Sequence, residues 1–326
     1  MNTVLPKFSH ILLISLTNIG DVILTFPVID ILLHDFPQAK LSLVIGPKAK
    51  ALFDHNANFE EIFVFDKKQP LGATLKWLYL LRQKRFDCVV DLRNTAIPFL
   101  IGSPYKTSPF FKRIAGEHVR LQHLRRLQGV YDFKQGNIQK RSLVFTRDIE
   151  EAANKMIQSL CGKKIDYVLV GPGAADRGKR WTAEGFAKIC DKIITQFNLN
   201  VILTGDENDR ATVSEVMSLM KQKAFDVSGQ TSLLELACLI KRAKLCLFND
   251  SAPMHLASYL DIPVVALFGL TSPQKYGPWG KDSYFIHKDS KEASTGEECM
   301  ARIHAEDVMS LVAKILGSQN SPISSH

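Results

Sequence analysis

The chain has 326 residues, a formal net charge of +8 and 46% apolar residues. This length and composition predict one large or two medium folded domains with a buried core. The six cysteines are far apart and lack C-x-x-C spacing, which argues against a disulfide framework or a zinc site and indicates a reducing compartment. No apolar run approaches the ~20 residues of a membrane span, and we expect a cytoplasmic protein.

The positive charge is concentrated in one segment. Between Gly102 and Arg147 only Glu117 and Asp132 oppose ten cations, so this segment carries the whole excess. The cations are Lys106, Lys112, Arg113, Arg120, Arg125, Arg126, Lys134, Lys140, Arg141 and Arg147. Such a segment suits an anionic partner, which could be nucleic acid, an acidic membrane surface or a phosphorylated substrate. The alternative is a solvated basic loop.

The first half of the chain alternates strands with helices. The apolar runs that predict strands are His10–Leu16, Leu41–Ile45, Ile62–Phe65 and Cys88–Leu92. The runs that predict helices are Val22–Leu33, Lys48–Asp54 and Leu71–Lys84. Pro27 is expected to kink the first helix or to lie in its first turn. Residues 94–147 form a basic insert that interrupts this alternation, with loops and short helices expected over 94–140, and Ile149–Leu160 is predicted to be a linking helix.

The second half resumes the alternation. Its predicted strands are Tyr167–Val170, Asn200–Thr204, Phe225–Val227, Leu245–Phe248 and Pro263–Phe268. Its predicted helices are Thr182–Phe197, Asp209–Lys223, Ser232–Ala243 and His304–Leu316, and Ser232 with Glu235 has capping-box spacing. We therefore predict an α/β chain with two doubly wound domains, 1–155 and 156–317, followed by a polar tail, 318–326, that we expect to be disordered. The carboxyl ends of the two sheets are expected to line a central cleft.

Loops at the strand ends of the second half suggest an anion site. Gly171–Ala175 is a turn of small residues that lets backbone N–H groups approach an anion, and Lys179 adds a positive charge. Asp250–His255 begins a helix directly after a strand, and we expect Asn249, Asp250 and Ser251 to cap its N–H groups. Together these loops would form a diphosphate clamp. The alternatives are an ordinary capped strand–helix joint and a surface pair of cations at Lys179 and Arg180.

Other common sites are not indicated. The chain has neither G-x-G-x-x-G nor a P-loop sequence, and it has no HExxH or EF-hand spacing, so we expect no protein-bound metal. In the first half, Asp21 lies at a strand-to-helix turn and is a candidate general base. Its alternative role is a carboxylate that only favours the helix dipole. Asp91, at another strand end, is a weaker candidate base.

Three segments, taken together and in this order, resemble glycosyltransferase family 9, the ADP-heptose:lipopolysaccharide heptosyltransferases. Thr17–Ile23 is similar to the family's N-terminal x-x-G-D-hydrophobic turn. Gly171–Ala174 with Lys179–Trp181 is similar to its P-G-A…K-R-W element. Asn249–His255 with Phe268–Pro273 resembles its D-[ST]-[GA]-x-x-H…G-x-T-x-P region, although Ser251–Ala252–Pro253 replaces the common Thr-Gly pair.

The resemblance implies a GT-B architecture with two Rossmann-like domains, the first for the acceptor and the second for a nucleotide-sugar. It implies inverting, metal-independent transfer that needs no cofactor besides the ADP-sugar donor. Asp21 takes the place of the catalytic base, and Lys179 falls where a lysine meets the donor phosphates. The expected donor-binding residues are Gly173, Ala174, Ala175, Glu207, Thr231, Asp250, Ser251, Ala252 and His255.

The expected function is therefore the transfer of heptose or a related sugar from an ADP-sugar to an anionic, lipopolysaccharide-core-like acceptor. We expect acceptor contacts from Gly20, Asp91, Arg93, Lys112, Arg113 and Arg120. A phosphorylated or acidic glycolipid acceptor would bring peripheral contact with the cytoplasmic face of the inner membrane. Two alternatives stay open: a sugar-nucleotide epimerase of the same architecture and a non-enzymatic nucleic-acid-binding protein. The second lacks helix-turn-helix or aromatic-interleaved signatures, and we expect no nucleic-acid partner.

Overall fold

The computed structural model describes residues 6–66, 68–134, 136, 138–288 and 295–319. It divides into two compact units, Met1–Val144 and Phe145–His326. The boundary expected after residue 155 falls inside a helix, Arg147–Cys161, whose buried Ala153 and Ile157 place it in the second unit. Most of the tail expected at 318–326 lies outside the described residues.

The first unit is built on one parallel sheet. Its strands are β1 (His10–Ile14), β2 (Lys40–Ile45), β3 (Glu61–Val64), β4 (Cys88–Asp91) and β5 (Tyr105–Lys106). They lie in the order β3-β2-β1-β4-β5. Its helices are α1 (Ile19–Ile23), α2 (Phe26–Asp35), α3 (Leu71–Gln83), α4 (Ile97–Leu100) and α5 (Val119–Gln128). The apolar strands β1 and β4 are buried at the centre of this sheet, as expected for strands covered on both faces.

The helix expected over 22–33 is two helices. The turn between α1 and α2 is closed by the Thr25 hydroxyl, which donates to the carbonyl of Val22. Pro27 lies in the first turn of α2, where its missing N–H costs little. The helix expected at 48–54 is wrong in type, because Pro47–Phe53 is a 3₁₀ helix.

The second unit contains a six-stranded parallel sheet. Its strands are β6 (Tyr167–Gly171), β7 (Asn200–Leu203), β8 (Phe225–Asp226), β9 (Leu245–Asn249), β10 (Val264–Phe268) and β11 (Ser283–His287). Their order is β11-β10-β9-β6-β7-β8. The helices are α6 (Arg147–Cys161), α7 (Ala183–Phe197), α8 (Arg210–Leu219), α9 (Leu233–Arg242), α10 (Ala252–Tyr259), α11 (Pro273–Tyr276), α12 (Gly296–Ala301) and α13 (Ala305–Gln319). The sequence missed β11, α11 and α12.

Both sheets reverse their strand order at a defined point. In the first unit the chain runs outward from β1 to β3 and then returns to place β4 on the other side of β1. In the second unit it runs from β6 to β8 and returns to place β9 beside β6. Ligands of open α/β sheets bind outside the carboxyl ends of the strands at such reversals. Ligand sites are therefore expected at the loops after β6 and β9 and at those after β1 and β4. The prediction of two doubly wound parallel-sheet domains is confirmed.

Candidate active site

At the reversal in the second unit, the ends of β6 and β9 lie very close together. Gly171 is paired with Phe248 in the parallel register. A Cβ at Gly171 would lie 2.7 Å from the Phe248 ring, so a larger residue would displace β9. The small residues after β6 thus have a packing role in addition to the anion-binding role expected from the sequence.

Buried polar contacts fix the turn after β6. The Asn249 side chain donates to the carbonyl of Pro172 at 2.8 Å and accepts from the backbone N–H of Trp181 at 3.1 Å. Arg180 donates to the carbonyl of Ala174 at 2.8 Å. This arrangement joins the turn after β6 to the end of β9. It also shows that Arg180 is a structural cation with partners and not a surface charge.

Gly173 is the tightest position of the turn. A Cβ there would lie 2.1 Å from the carboxylate carbon of Asp209. The Asp209 carboxylate is fixed by the backbone N–H of Asp206 and lies 3.5 Å from the guanidinium of Arg180. Burial raises the pKa of Asp209 above its ordinary value. Sequence analysis assigned Asp209 only to a helix start and missed this contact, which links β7's loop to the anion-site turn.

Lys179 and Asp250 form an ion pair. Lys179 Nζ lies 2.7 Å from Asp250 Oδ2, and the two side chains are 34% and 6% exposed. The lysine is therefore held beside the start of α10 by a buried carboxylate while part of its side chain still faces solvent. Two residues that sequence analysis assigned to the donor are brought together here.

The start of α10 differs from expectation. The side chains of Asn249, Asp250 and Ser251 were expected to cap this helix, and that prediction is wrong. Asn249 and Asp250 are engaged with the turn after β6 and with Lys179, and the Ser251 hydroxyl donates to the carbonyl of Asn249. Among these described residues no side chain accepts from the first-turn N–H groups. Pro253 has no N–H and the N–H of Met254 donates to the carbonyl of Ser251, so the N–H groups of Ser251 and Ala252 are the ones at this helix start from which an anion can accept.

The remaining donor-end residues occupy the edges of this site. Ala175 is exposed, whereas Ala252 is half-buried at the first position of α10. His255 is buried and stacks on Trp279 with ring centroids 5.9 Å apart. Glu207 is exposed and lies 2.9 Å from Arg210, and Thr231 is half-buried after β8. Both fall at the carboxyl edge of the same sheet, as the sequence predicted.

In the first unit, Asp21 lies in the first turn of α1, just beyond β1. Its carboxylate is half-buried and accepts from the Asn18 side chain at 3.0 Å. The β1 turn is positioned by Gly46, where a Cβ would lie 2.6 Å from the carbonyl oxygen of Thr17. Gly20, beside Asp21, is half-buried. The carboxylate is thus accessible at the reversal between β1 and β4.

Asp91 has a different role from Asp21. It is 1% exposed, and its carboxylate accepts from the backbone N–H groups of Arg93 and Thr95 and from the Thr95 hydroxyl. Those three donors make it the organiser of the turn after β4. This geometry disfavours Asp91 as a base or as a direct acceptor contact. Arg93, half-buried, lies with its guanidinium 5.2 Å from the Phe65 ring, and burial lowers its pKa.

The basic segment is more structured than a solvated loop. Arg126 is 6% exposed and donates to the carbonyl of Asp91 and to Asn94. Arg125 pairs with Glu117 at 2.6 Å, and Arg141 donates to the carbonyl of Leu33. These three cations therefore stabilise the fold. Of the predicted acceptor cations, Lys112 and Arg113 are exposed, whereas Arg120 is half-buried and burial lowers its pKa.

Comparison with known proteins identifies the family. The model of "Glycosyltransferase family 9 (heptosyltransferase)" matches residues 113–304. The chain is 25% identical to lipopolysaccharide heptosyltransferase 3 of Escherichia coli K12, over 91% of this chain and 95% of that protein. A family 9 glycosyl transferase from Veillonella parvula shares the fold at a TM-score of 0.82 and 24% identity, covering 97% of this chain and all of that one. Escherichia coli ADP-heptose lps heptosyltransferase II superposes at a TM-score of 0.77 with 20% identity, covering 96% of this chain and 100% of the other.

The match to the family model extends from the basic segment to the start of the last helix, and so covers more than half of the chain. The solved structures extend the same fold over both units. The predictions of the family, of the GT-B fold and of a transferase enzyme are confirmed. The chain belongs to glycosyltransferase family 9, the heptosyltransferases.

Proposed function

We propose that this enzyme transfers heptose from ADP-heptose to a lipopolysaccharide-core-like acceptor. The observation that carries the proposal is the Lys179–Asp250 pair beside the uncapped start of α10, at the strand reversal of the second sheet. A relative over nearly the whole chain is named a lipopolysaccharide heptosyltransferase, and a structural neighbour is described as acting with ADP-heptose. The second name supports a donor that carries a diphosphate.

The donor diphosphate would lie on the N–H groups of Ser251 and Ala252 at the start of α10. Lys179 would contribute a charge-assisted hydrogen bond to it, with Asp250 holding the lysine in place. The nucleoside would extend along the edge of the sheet toward Thr231 and Glu207. As the bond to the sugar breaks, negative charge grows on the leaving ADP, and preorganised donors stabilise that charge without reorganising.

Asp21 would act as the general base. It would take the proton of an acceptor hydroxyl while that oxygen forms a bond to the anomeric carbon from the face opposite the diphosphate. The bond from the anomeric carbon to the diphosphate oxygen breaks, its electron pair leaves with ADP, and the configuration inverts. We propose that the reaction needs no metal ion or other cofactor, because Lys179 and the α10 N–H groups would supply the positive charge.

Replacement of the base tests the mechanism. We expect Asp21→Asn to lower kcat by about 10²–10⁴-fold, the range for a positioned general base, while ADP affinity stays within twofold. Asp54→Asn, which changes an exposed carboxylate of the same unit, is the matched control and should leave kcat unchanged. If Asp21→Asn transfers sugar at the wild-type rate, the base assignment is wrong.

The products test the reaction class. ADP-heptose with a delipidated core acceptor should yield ADP and a glycosylated acceptor of inverted configuration, and full activity should persist in excess EDTA. An epimerised nucleotide-sugar formed without acceptor would instead establish the epimerase alternative. Loss of activity on chelation, restored by a divalent ion, would disprove metal independence.

The acceptor would meet the first unit through exposed cations such as Lys112 and Arg113. Because a core-like acceptor is attached to lipid, we also propose that the enzyme works in the cytoplasm in peripheral contact with the inner membrane. Among the described residues, no helix has the length and hydropathy needed to cross a bilayer.

A further inference from the structure

Large apolar side chains are exposed on one part of the first unit. Of the fifteen that are exposed among the described residues, ten lie between Leu71 and Leu121. Soluble proteins rarely leave apolar residues clustered in this way, and such clusters mark contact surfaces for proteins or membranes. Neither the donor site nor Asp21 uses these side chains.

Helix α3 is apolar on two sides. Its inner side packs Leu81, Trp77 and Leu78 against the core of the unit. Its outer side carries Leu71, Leu75 and Tyr79, which are 75%, 58% and 62% exposed. Residues four apart lie above one another on a helix, so these three form one stripe along its length. A helix that only covered the sheet would place polar residues there.

Helix α4 continues this surface. It packs Ile97 into the same core cluster as Leu81, while Phe99 and Leu100 are exposed. The guanidinium of Arg82, at the end of α3, donates to the carbonyl of Leu100 at 3.0 Å, which fixes the two helices side by side.

The edge strand β5 lies beside α4, and two further exposed apolar side chains follow it in the sequence. The Lys106 ammonium lies 5.3 Å from the centre of the Phe99 ring and so connects α4 to β5. Beyond β5, Phe110 is 94% exposed and Ile114 is 52% exposed. We call the apolar side chains exposed on the two helices the α3–α4 face: Leu71, Leu75, Tyr79, Leu80, Phe99 and Leu100.

Cations outnumber acidic groups in the stretch of sequence that carries the α3–α4 face, although one of them, Lys84, is paired with Glu61 of β3. Between residues 71 and 114 the sequence has eight Lys or Arg and only two acids, Asp87 and Asp91. Asp87 accepts from the backbone N–H groups of Ser9 and His10, and Asp91 is buried. The exposed cations of this stretch are Lys76, Arg82, Lys84, Arg85, Lys112 and Arg113.

We infer that the α3–α4 face docks on a bilayer surface rich in anionic lipid headgroups. Leucine and phenylalanine side chains would enter the headgroup–acyl boundary, Tyr79 would sit at the polar interface, and the cations would meet lipid phosphates. Apolar insertion and basic attraction together are the combination that holds proteins stably on membranes. The excess of cations in this stretch would repel the same stretch of a second copy of this chain, whereas anionic headgroups complement it.

This inference rests on the proposed function, because a lipid-linked acceptor would bring the enzyme to a membrane. The observations that support the docking itself are the exposed apolar side chains and the cations of the first unit. The test therefore uses vesicles that contain neither donor nor acceptor, so that it can fail without the transferase failing.

Partition of the full chain onto sedimented vesicles is the measurement. Vesicles of phosphatidylglycerol and phosphatidylethanolamine should bind the wild-type chain, and phosphatidylcholine vesicles should bind it at least tenfold more weakly. Leu75→Ser with Tyr79→Ser should lower the partition coefficient on anionic vesicles about tenfold or more. Lys76→Gln should lower it about fivefold, since each cation near an anionic surface is worth about 1 kcal/mol.

A matched control is available in the second unit. Ile165 and Leu219 are 58% and 44% exposed, so Ile165→Ser with Leu219→Ser removes comparable apolar surface away from the face. This variant should bind vesicles like wild type. All variants should bind ADP like wild type, which shows that they are folded.

Three results would overturn the inference. The wild-type chain could fail to bind anionic vesicles. The variant Leu75→Ser with Tyr79→Ser could bind them with the same partition coefficient as wild type. Sedimentation equilibrium could instead show a wild-type dimer that this variant dissociates, and the face would then be a contact between copies. If vesicle binding fails while transfer to a delipidated acceptor persists, only the docking inference falls.

Discussion

The ion pair between Lys179 and Asp250 gives the sharpest test of the donor end. Its two atoms are 2.7 Å apart, with the carboxylate buried and the lysine one-third exposed. The perturbation is a double-mutant cycle of Lys179→Met, Asp250→Asn and the two together. The coupling between the two side chains should be measurable both in the free energy of unfolding and in the affinity for ADP.

The expected size of the coupling follows from the geometry. Two unit charges at 2.7 Å attract by about 6 kcal/mol at an effective dielectric constant of about 20, and by about 1.5 kcal/mol in water. Desolvation of Asp250 offsets much of the larger figure, and solvent at Lys179 screens the rest. We expect a coupling free energy of about 2 kcal/mol in urea unfolding.

The affinity for ADP distinguishes the role of Lys179 from that of Asp250. Lys179→Met should weaken ADP binding about 100-fold, because a charge-assisted bond is lost and Asp250 is left as an uncompensated negative charge beside the diphosphate. Asp250→Asn alone should weaken binding only a few-fold, because the lysine loses its anchor but keeps its charge. The double variant should bind ADP about tenfold more tightly than Lys179→Met, since the opposing charge is gone.

Titration calorimetry with ADP and urea unfolding measure all four proteins. Lys188 pairs with Glu306 at 2.5 Å, but the two side chains are 50% and 67% exposed. Lys188→Met is therefore the control and should leave the urea unfolding midpoint and the ADP affinity unchanged, because an exposed pair contributes little. If the single substitutions simply add, or if Lys179→Met keeps its ADP affinity, the lysine does not meet the diphosphate and the donor-site argument fails.

Three further predictions concern individual residues. Gly173→Ala should destabilise the fold by about 1–3 kcal/mol and weaken ADP binding, because its methyl would displace Asp209. Gly72→Ala is the control and should have neither effect, because its Cβ would meet no described atom within 4 Å. Thermal unfolding and calorimetry with ADP measure the two effects. Asn249→Ala should cost about 2 kcal/mol in urea unfolding by leaving buried backbone groups unpaired, and an unchanged unfolding midpoint would contradict the role given to this side chain. Burial lowers the pKa of His123 from 6.5 to about 3, so the unfolded chain binds a proton first as the pH falls. The stability due to neutral His123 should be complete above about pH 6.5 and be lost toward pH 3, and His123→Leu should flatten urea stability over that range by up to about 1.4 kcal/mol per pH unit.

Local patterns were sufficient to predict the regular elements. Ser232 and Glu235 form the capping box that their spacing predicts, because both hydrogen bonds lie within one turn of α9. Thr182 likewise caps α7 through the N–H of Gly185. The buried strands β6 and β9 were found because continuous apolar runs are typical of parallel sheets. The family resemblance then placed the loops that follow those strands in one site.

The roles of Asn249 and Asp250 were predicted wrongly because their hydrogen-bond partners are distant along the chain. Asn and Asp are typical helix-capping residues, but the Asn249 side chain is hydrogen-bonded to Pro172 and Trp181. The Asp250 side chain is ion-paired with Lys179. No local pattern contains those contacts, since the partners are about seventy residues away along the chain. An Asn that ends a fully buried strand was the available signal, because its amide must find partners in the core.

The basic segment shows the same limit. Its charge excess is correctly read from the sequence, but burial of Arg126 and the pairing of Arg125 are properties of the folded unit. The exposed apolar stripe on α3 was missed because Trp77, Leu78 and Leu81 already accounted for a helix packed on a sheet. Leu71, Leu75 and Tyr79 lie on the opposite side and require a second explanation.

Carboxylates beside a proposed diphosphate site need a physical account. Asp250 is paired with Lys179, Asp209 accepts from a backbone N–H and lies near Arg180, and Glu207 lies beside Arg210. Each of these three acids therefore has its own compensating group before any ligand binds. The charge of ADP must then be met by the N–H groups at the start of α10 and by the exposed part of Lys179.

The same argument separates the two kinds of binding by their response to salt. The cations assigned to the lipid surface, Lys76, Arg82, Lys84, Arg85, Lys112 and Arg113, are all exposed. Attraction of a lipid surface to exposed cations acts over a Debye length of about 10 Å at 0.1 M salt and is screened as salt rises. A diphosphate held by short bonds at a helix start is screened much less. Raising salt from about 0.05 to 0.5 M should thus release the chain from anionic vesicles while changing ADP affinity only slightly, and equal losses would contradict the separate origins assigned to the two interactions.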